Sequence, residues 1–297
     1  MLLREKFEKM TNLSEGQKSI LQYICDHSQE IASMTIKELA QATYTSPATL
    51  IRVSKKLGYN GFDELKKDFL TEENYINTHF QKIDPNYPFL ATDNYMTIAS
   101  KITTLAKETA DDTLSLIDFY TLQKAVKLFL KAEKIHLTAI SFPLIYGRDF
   151  QLKLRRIGKN VEIVDLLGEQ LYAAPIINKT DCALMISYSG ETPLIRQMIK
   201  VYQQKNVPII AITGVGSSTL RSAADVSLSV TTREKLYSKI SGYSNLFSIK
   251  LILDILYSCI FKENYDTNLE NKKSLSKLAE PGRFSTSEVL REDSSDS

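Results

Sequence analysis

The sequence of 297 residues predicts an α/β protein, in which an all-α helix-turn-helix domain precedes a doubly wound parallel-sheet domain, an α/β/α sandwich. Two observations predict this class. In the first part of the chain, apolar residues recur at helical spacing behind residues that cap helices. From about residue 105 onward, short apolar runs alternate with helix-length segments, as parallel strands do when helices cover both faces of their sheet.

Composition limits the classes of function. The three cysteines and three histidines are scattered, so we expect no metal and no other cofactor, and the free thiols fit a reducing cytoplasm. The start "MLLREKFEKM" is too charged for a signal peptide, and Lys250 and Asp254 interrupt the most apolar stretch, so no membrane partner is expected. The net charge of +2 is too small to attract nucleic acid in bulk, and DNA binding would need a local patch.

Two helices near the N-terminus each begin with a capping box, a pair of side chains that satisfies free N–H groups at a helix start. Ser14 and Gln17 open the first, and Thr35 and Glu38 open the second, "TIKELAQA". After the short break "TYT", a third helix is predicted over "SPATLIRVSKK", with Ser46 as the N-cap and a stop before Gly58. Three helices with tight turns result.

The third helix has one apolar and one cationic face. Leu50, Val53 and Leu57 fall on one side, and between residues 43 and 62 the chain has three basic residues and no acidic one. In a helix-turn-helix, the second helix of the pair enters the major groove, where an arginine can read guanine and lysines can hold phosphates. The predicted DNA contacts are Thr45, Ser46, Thr49, Arg52, Lys55 and Lys56. The alternative is a packing domain whose basic face is only solvated.

The stretch "TIKELAQATYTSPATLIRVSKKLGYNGFDELK" resembles the helix-turn-helix of the RpiR family of bacterial transcriptional regulators, including the "KLGYNGF" after its recognition helix. The resemblance covers roughly residues 5 to 75. It implies double-stranded operator DNA as a partner, and we assign residues 1–75 to this domain.

The remaining chain divides into three parts. Residues 71–93 contain two prolines and no sustained periodicity, and a helical pattern follows at "NYMTIASKITTLAKETA", so 76–104 is predicted as linker and connecting helix. Residues 105–265 form the α/β domain, with strands at "IHLTAI", "VEIVDL", "CALMIS", "VPIIAIT" and "DVSLSV". Residues 266–297 are rich in serine and charge and are predicted to be a flexible tail.

The turn "SYSGET" directly follows the strand "CALMIS" and precedes a helix. In such sheets ligands bind at the carboxyl ends of the strands, where N–H groups and the helix dipole favour an anion. Ser187, Ser189 and Thr192 add hydroxyl groups, and Gly190 leaves room for a ligand. The GxxxxGK[ST] phosphate loop is absent, and spacing alone equally fits an ordinary helix cap.

The stretches "DCALMISYSGETP" and "VPIIAITGVGSSTLRSAADVSLSV" resemble the SIS (sugar isomerase) domain, over roughly residues 105 to 265. SIS domains are the usual partner of this helix-turn-helix in RpiR regulators. The resemblance implies that Ser187, Ser189 and Thr192, with Gly190 at the turn, hold the phosphate of a phosphosugar.

The first strand's loop, "AISFPLIYG", departs from the family pattern. Ala139 and Ser141 stand at expected glycine positions, and Phe142 and Pro143 stand where small or hydroxyl residues are usual. Ser141 is counted with the ligand residues. Either Phe142 and Tyr146 reshape the pocket for a different or more apolar ligand, or the domain has lost phosphosugar binding and only dimerises.

These features predict a transcriptional regulator of sugar or amino-sugar metabolism, a homodimer or homotetramer, whose operator binding responds to a phosphosugar. One alternative is a phosphosugar isomerase or lyase with a DNA-binding head, which needs an acid or base near the sugar. Glu191 is the nearest candidate for that role. Another alternative is a regulator whose SIS domain only dimerises. The loop "TGVGSST", with Ser217 and Ser218, is interpreted as a plain turn.

Overall fold

The computed structural model describes residues 3–8, 10, 12–79, 83–166, 168–287 and 289. The N-terminal part consists of helices α1 (Leu3–Glu8), α2 (Glu15–Asp26), α3 (Ser28–Ile31), α4 (Ile36–Ala42), α5 (Pro47–Lys56) and α6 (Phe62–His79). Both predicted capping boxes are present at the starts of α2 and α4. Ser46 caps α5, and the chain leaves that helix through Gly58 at φ 96°. The predicted three-helix arrangement is confirmed.

The helices enclose one apolar core. Leu50, Val53 and Leu57 of the predicted apolar face are buried in it. The other large members include Ile20, Ile24, Leu39, Leu65 and Phe69. Packing of these side chains fixes α5 with its opposite face toward solvent.

Helix α6 is longer than the sequence predicts. It continues to His79, through the region that was expected to lack periodic structure from residue 71 onward. The physical reason is that Glu72 and Glu73, both buried, continue the inward face that Leu65 and Phe69 begin. Because these two positions are carboxylates, the apolar periodicity stops although the helix does not. Residues 80–82 of the predicted linker lie outside the described part.

The second part has the alternating order that the sequence predicts. Its elements are α7 (Tyr95–Ser115), α8 (Phe119–Lys131), β1 (Ile135–Thr138), α9 (Phe142–Arg155), β2 (Val161–Glu162), α10 (Glu169–Ala173), a 3-10 turn (Ala174–Ile176), β3 (Cys182–Ser187), α11 (Pro193–Gln204), β4 (Ile209–Gly214), α12 (Thr219–Ala223), β5 (Val226–Val230), α13 (Ser244–Lys262) and α14 (Tyr265–Ala279). The predicted run "VEIVDL" is a strand only at its first two residues, which pair with β1 at the edge of the sheet.

All five strands are parallel, in the order β2-β1-β3-β4-β5. One face of the sheet is covered by α8, α9 and α13, and the other by α11 and α12. This confirms the doubly wound fold. Since all strands are parallel, the loops that follow β1, β3, β4 and β5 leave the sheet at the same edge.

Helix α13 is, among the described residues, the one helix long and apolar enough to cross a membrane by length and composition. In this fold it is a core helix. Ile249, Ile252, Leu253 and Leu256 are buried against the sheet, which accounts for its apolar character.

Helix α14 corrects the prediction of a flexible tail from residue 266. Asn268 is buried at its start and donates from Nδ2 to the Phe261 carbonyl over 2.9 Å. The Tyr265 ring lies 5.5 Å from the Phe261 ring, between centroids. These local contacts tie α14 to the end of α13 with little apolar burial, which composition alone does not reveal. Residues 288 and 290–297 of the predicted tail lie outside the described part.

Candidate functional sites

The turn between α4 and α5 carries the first of the predicted DNA contacts. Ser46 Oγ accepts a hydrogen bond from the Thr49 N–H over 3.3 Å and lies 3.0 Å from Thr49 Oγ1. Thr45 Oγ1 lies 2.9 Å from the hydroxyl of Thr43, which is buried. The hydroxyl groups of this turn therefore fix the start of α5, and Ser46 remains exposed.

The outer face of α5 is cationic. Arg52, Lys55 and Lys56 are all exposed, opposite the buried Leu50 and Val53. The ammonium group of Lys56 donates to the backbone carbonyl of Asn12. The predicted cations thus share one surface, on which Arg52 and Lys55 extend from the helix and Lys56 is also tied to the segment before α2.

The turn after β3 is organised by its own side chains. Ser187 Oγ lies 2.8 Å from Thr192 Oγ1 and accepts from the Gly190 N–H over 3.1 Å. Ser189 Oγ accepts from the Glu191 N–H over 3.2 Å. Four of the predicted ligand residues, Ser187, Ser189, Gly190 and Thr192, are therefore brought together in one compact turn.

None of these hydroxyl groups caps the helix that follows. Thr192 is the N-cap residue of α11, yet its side chain makes no capping hydrogen bond, and the same is true of Ser141 before α9. By contrast, Asn94 caps α7 and Asp118 caps α8 through their side chains. The ordinary-cap interpretation of the serine and threonine turn is therefore not supported.

The neighbouring loop after β4 holds the turn in place. Gly190 has φ 67°, and a Cβ at this position would overlap Ser218, whose own Cβ would be 2.5 Å away. The Leu220 N–H donates to the Gly190 carbonyl over 3.1 Å. Glycine is required here both for its left-handed backbone and for the close approach of Ser218.

Glu191 is also part of this attachment. Its two carboxylate oxygens accept from the Thr219 N–H over 2.7 Å and from the Thr219 hydroxyl over 2.8 Å. The Arg196 guanidinium lies 3.9 Å away. The carboxylate thus caps α12 across the loop, an arrangement that leaves it poorly placed to act as a base.

Ser141 lies in the first loop, beside the turn after β3 because β1 and β3 are neighbours in the sheet. Its backbone has φ 61° and ψ −136°, a conformation that is favourable only for glycine. The serine at this expected glycine position therefore has a strained backbone. Phe142 follows with 59% of its side chain exposed at the same edge.

Sequence analysis missed Tyr188, the residue between the two serines. Its hydroxyl donates to the Glu234 carbonyl over 2.8 Å and accepts from the Glu234 N–H over 3.2 Å. Lys239 lies above its ring, with Nζ 5.5 Å from the centroid. These contacts join segments 46 residues apart, and no local sequence pattern announces such a pair.

The chemistry of metals has no support in the described residues. No group of three or more histidine, cysteine, aspartate or glutamate side chains could hold a metal ion in that part of the chain. His136, which lies in β1, contacts Asp181 over 3.1 Å and Glu162 over 3.4 Å. It is bound within the sheet region, as its place in a predicted strand suggests.

Comparison with protein families matches two models to the chain. A helix-turn-helix domain of the rpiR family matches residues 1–74, and a SIS domain matches residues 128–254. An uncharacterized HTH-type transcriptional regulator of Caldanaerobacter subterraneus is 27% identical over 87% of this chain and 90% of its own. The uncharacterized regulator YbbH of Bacillus subtilis is 27% identical over 86% of this chain and 88% of its own.

Solved structures show the same fold. The Vibrio vulnificus NanR protein, complexed with ManNAc-6P, has a TM-score of 0.60 at 21% identity and covers 95% of this chain and 100% of its own. The sugar isomerase domain of an RpiR transcription factor from Sphaerobacter thermophilus has a TM-score of 0.54 at 16% identity, covering 60% of this chain and 98% of that domain. A putative sugar-phosphate isomerase of Listeria monocytogenes has a TM-score of 0.52 at 16% identity, covering 64% of this chain and 100% of its own.

Proposed function

We propose that the chain is a transcriptional regulator of the rpiR type, with a helix-turn-helix domain at residues 1–74 and a SIS domain at residues 128–254, and that a phosphosugar bound at residues 187–192 sets its affinity for operator DNA. The observation that carries the sugar half of this proposal is the uncapped start of α11, directly behind a turn of three hydroxyl residues. The DNA half rests on the exposed cations of α5.

In the DNA-bound state, α5 enters the major groove. Arg52 donates to a guanine edge, because its guanidinium extends from the exposed face of the helix. Lys55 and Lys56 neutralise phosphates, and Thr45, Ser46 and Thr49 contact the DNA near the start of the helix. Few cations on one helix give modest affinity, so two copies of the helix on neighbouring half-sites, about 34 Å apart, fit this role better. We therefore propose a homodimer, or a tetramer built from it, that acts in the cytoplasm.

In the sugar-bound state, the phosphate accepts hydrogen bonds from N–H groups that in this structure donate to hydroxyl oxygens of the same turn. The N–H groups of Gly190 and Glu191 now donate to Ser187 and Ser189. Phosphate oxygens are stronger acceptors than hydroxyl groups, and the start of α11 adds its dipole. The three hydroxyls can then rotate to donate to the anion. The proposed ligand contacts also include Ser141, from the adjacent loop.

NanR, with the same fold, is complexed with ManNAc-6P, which makes an amino-sugar phosphate the first ligand to test. Phe142 and Ile145 are exposed at the start of α9. They can pack against an apolar part of a ligand, such as an acetamido methyl group. Of the two outcomes left open for the altered first loop, this favours a reshaped pocket over a lost one.

Enzymatic isomerisation fits the site less well, although SIS relatives include isomerases. It requires a free acid or base near the sugar. Glu191 is bound through both oxygens to Thr219. The relatives that match along most of the chain carry the names of transcriptional regulators.

A contiguous set of hydrogen bonds links the sugar turn to the interdomain connection. Tyr188 holds Glu234 by its backbone. Asn86 binds the residues on both sides of Glu234, accepting from the Lys235 N–H over 2.7 Å and donating to the Arg233 carbonyl over 3.3 Å. The Arg233 guanidinium also donates to the Ile83 carbonyl over 3.2 Å. Only residues 80–82 separate Ile83 from the end of α6, so a change at the turn can reach the DNA-binding domain by this route.

The proposal is tested first by ligand-induced stabilisation. A ligand that binds only the folded state raises the unfolding temperature, because it adds RT ln(1 + [L]/Kd) to the free energy of unfolding. Purified protein is heated with ManNAc-6P, with other phosphorylated sugars and amino sugars, and with inorganic phosphate as a control for anion binding. We expect one phosphosugar to stabilise the native protein. Its affinity for Ser189→Ala should be at least about tenfold lower, because this variant loses one donor to the phosphate.

Ser258→Ala is the matched control. Ser258 lies on α13, fourteen positions from Ser244 and hence about 21 Å along the helix from the ligand edge. Equal ligand affinity of Ser189→Ala and the native protein would contradict the assignment of this turn as the phosphate site. If no phosphosugar stabilises the protein although it still binds DNA, the result would favour the alternative in which the SIS domain only dimerises.

A further inference from the structure

Tyr44, in the turn between α4 and α5, has a backbone that favours glycine. Its φ is 52°, in the left-handed region. The Thr45 N–H donates to the Ala40 carbonyl over 2.8 Å, and the Tyr44 N–H donates to the Gln41 carbonyl over 3.2 Å. This pair of bonds is the Schellman arrangement that ends a helix, and Tyr44 occupies the position where glycine is usual.

The side chain of Tyr44 offers no compensation within the protein. It is 98% exposed, so its ring packs against no other part of the described chain to any useful extent. Its neighbours differ in this respect: Thr43 is buried and donates to the Leu39 carbonyl over 2.8 Å. A large aromatic residue thus stands in a strained backbone conformation without a folding benefit. Residues held in this way are concentrated at binding sites.

The position of Tyr44 indicates what it binds. It is two residues before Ser46, the N-cap of the cationic helix α5, and it extends from the same turn that approaches DNA in the proposed complex. When the start of a recognition helix lies in the major groove, the turn before it faces the flanking backbone. A tyrosine hydroxyl is a suitable donor to a phosphate oxygen, and such contacts position the protein without reading bases.

We infer that Tyr44 is a DNA-backbone contact whose hydroxyl donates to a phosphate beside the major groove entered by α5. The inference rests on the proposed DNA-binding function and adds a residue to it. Because the ring is rigid and the backbone of the turn is fixed on both sides, the contact sets how far α5 can enter the groove.

The test uses the full chain and two DNA duplexes: one selected by the native protein from a random-sequence pool, and a scrambled version of it. Tyr44→Phe keeps the ring and the backbone strain and removes only the donor. We expect its affinity to fall about 3- to 10-fold on both duplexes, because a phosphate contact is independent of sequence. The slope of log affinity against log salt should stay native, since no charge is lost, whereas Lys55→Ala should reduce it by about one.

Tyr44→Gly supplies a second measurement. It should bind DNA as weakly as Tyr44→Phe or more so, while its unfolding temperature rises, because glycine relieves the left-handed strain. Native affinity in both variants would overturn the inference, and so would a loss confined to the selected duplex, which would indicate a base contact. Arg52→Ala separates a failure of the Tyr44 contact from a failure of the proposed DNA binding. If Arg52→Ala weakens binding and the Tyr44 variants do not, only the Tyr44 contact is wrong; if the native protein selects no duplex, the DNA-binding proposal fails with it.

Discussion

At the scale of single residues, Glu72 is a carboxyl group inside the helical domain. It is 5% exposed, and its Oε2 accepts from the Leu3 N–H over 2.5 Å. Burial raises its pKa to about 7, although the Leu3 hydrogen bond acts in the opposite direction. The same group in the unfolded chain titrates near 4.5. Between these values the folded protein binds more protons than the unfolded protein.

The free energy of unfolding of the helical domain should therefore decrease as pH rises from about 4.5 to about 7, and stay lower above pH 7. The effect of this one group is on the order of 3 kcal/mol at most. Glu72→Gln keeps an acceptor for Leu3 and removes the charge. We expect it to match native stability at pH 5 and to exceed it at pH 8, in urea unfolding followed by helical circular dichroism. Parallel pH curves for the two proteins would contradict this assignment.

Residue types predict some of the site and not the rest. The exposure of Arg52 and Lys55 was predictable because helical spacing separates them from Leu50 and Val53, and burial follows directly from that spacing. Tyr44 could not be identified, since its strain depends on how α4 ends. The role of Tyr188, which lies between two serines, was not predictable because it depends on the contact of its hydroxyl with Glu234.

At the scale of elements, α7 and α13 are joined by hydroxyl groups instead of apolar side chains alone. Thr113 Oγ1 donates to Ser248 Oγ over 2.9 Å, and the Thr231 N–H donates to the same oxygen over 3.1 Å. Thr109 and Ser244 form a similar pair at 3.0 Å. All of these side chains are buried, so each bond is made where water cannot replace it.

Ser248→Ala should therefore destabilise the α/β domain by about 1–3 kcal/mol, because it leaves the buried Thr231 N–H without its acceptor and removes one partner of the buried Thr113 hydroxyl. The measurement is equilibrium urea unfolding of the full chain. Ser258→Ala is the matched control on the same helix: its hydroxyl is exposed and donates to the Asp254 carbonyl, and its substitution should change stability by less than about 0.5 kcal/mol. Equal effects of the two substitutions would show that the hydroxyl cluster does not hold α7 to α13.

The sequence predicts some of the helices and misses others. Helices with a capping box and an apolar stripe, such as α2 and α4, were located, since both signals are local. The extension of α6 to His79 was not, because buried glutamates replace apolar residues on its inner face. Helix α14 was not predicted either, because its attachment depends on contacts with the end of α13.

At the scale of the whole molecule, the turn at residues 187–192 and the interdomain connection both contact one loop. Residues 231–243 follow β5 at the ligand edge, and within them Glu234 is the centre of several bonds. Its carboxylate accepts from the Ser244 N–H over 2.5 Å and from Lys239 over 3.1 Å. Its backbone is held by Tyr188, and Asn86 of the connection binds both of its neighbours. By this route, a ligand changes operator affinity only if it binds one arrangement of the loop more tightly than another.

Tyr188→Phe tests this route because it removes one hydroxyl and leaves everything else in place. The ring still lies below Lys239, and the Tyr188 backbone carbonyl, which accepts from the Gly214 N–H over 3.0 Å, is unchanged. Phosphosugar affinity and operator affinity, each measured alone, should therefore stay within about threefold of native. The factor by which saturating phosphosugar changes operator affinity should move toward one.

That factor must change in both directions, since coupling between two binding sites is reciprocal. The effect of operator DNA on phosphosugar affinity should fall by the same factor, which separates lost coupling from simple damage to either site. Tyr237→Phe is the matched control, since Tyr237 lies in the same loop with 92% of its side chain exposed, and its coupling should remain native. If Tyr188→Phe keeps native coupling while both ligands still bind, the signal passes to the helix-turn-helix by a route that does not include Glu234, and the contacts of Asn86 serve only to hold the connection on the SIS domain.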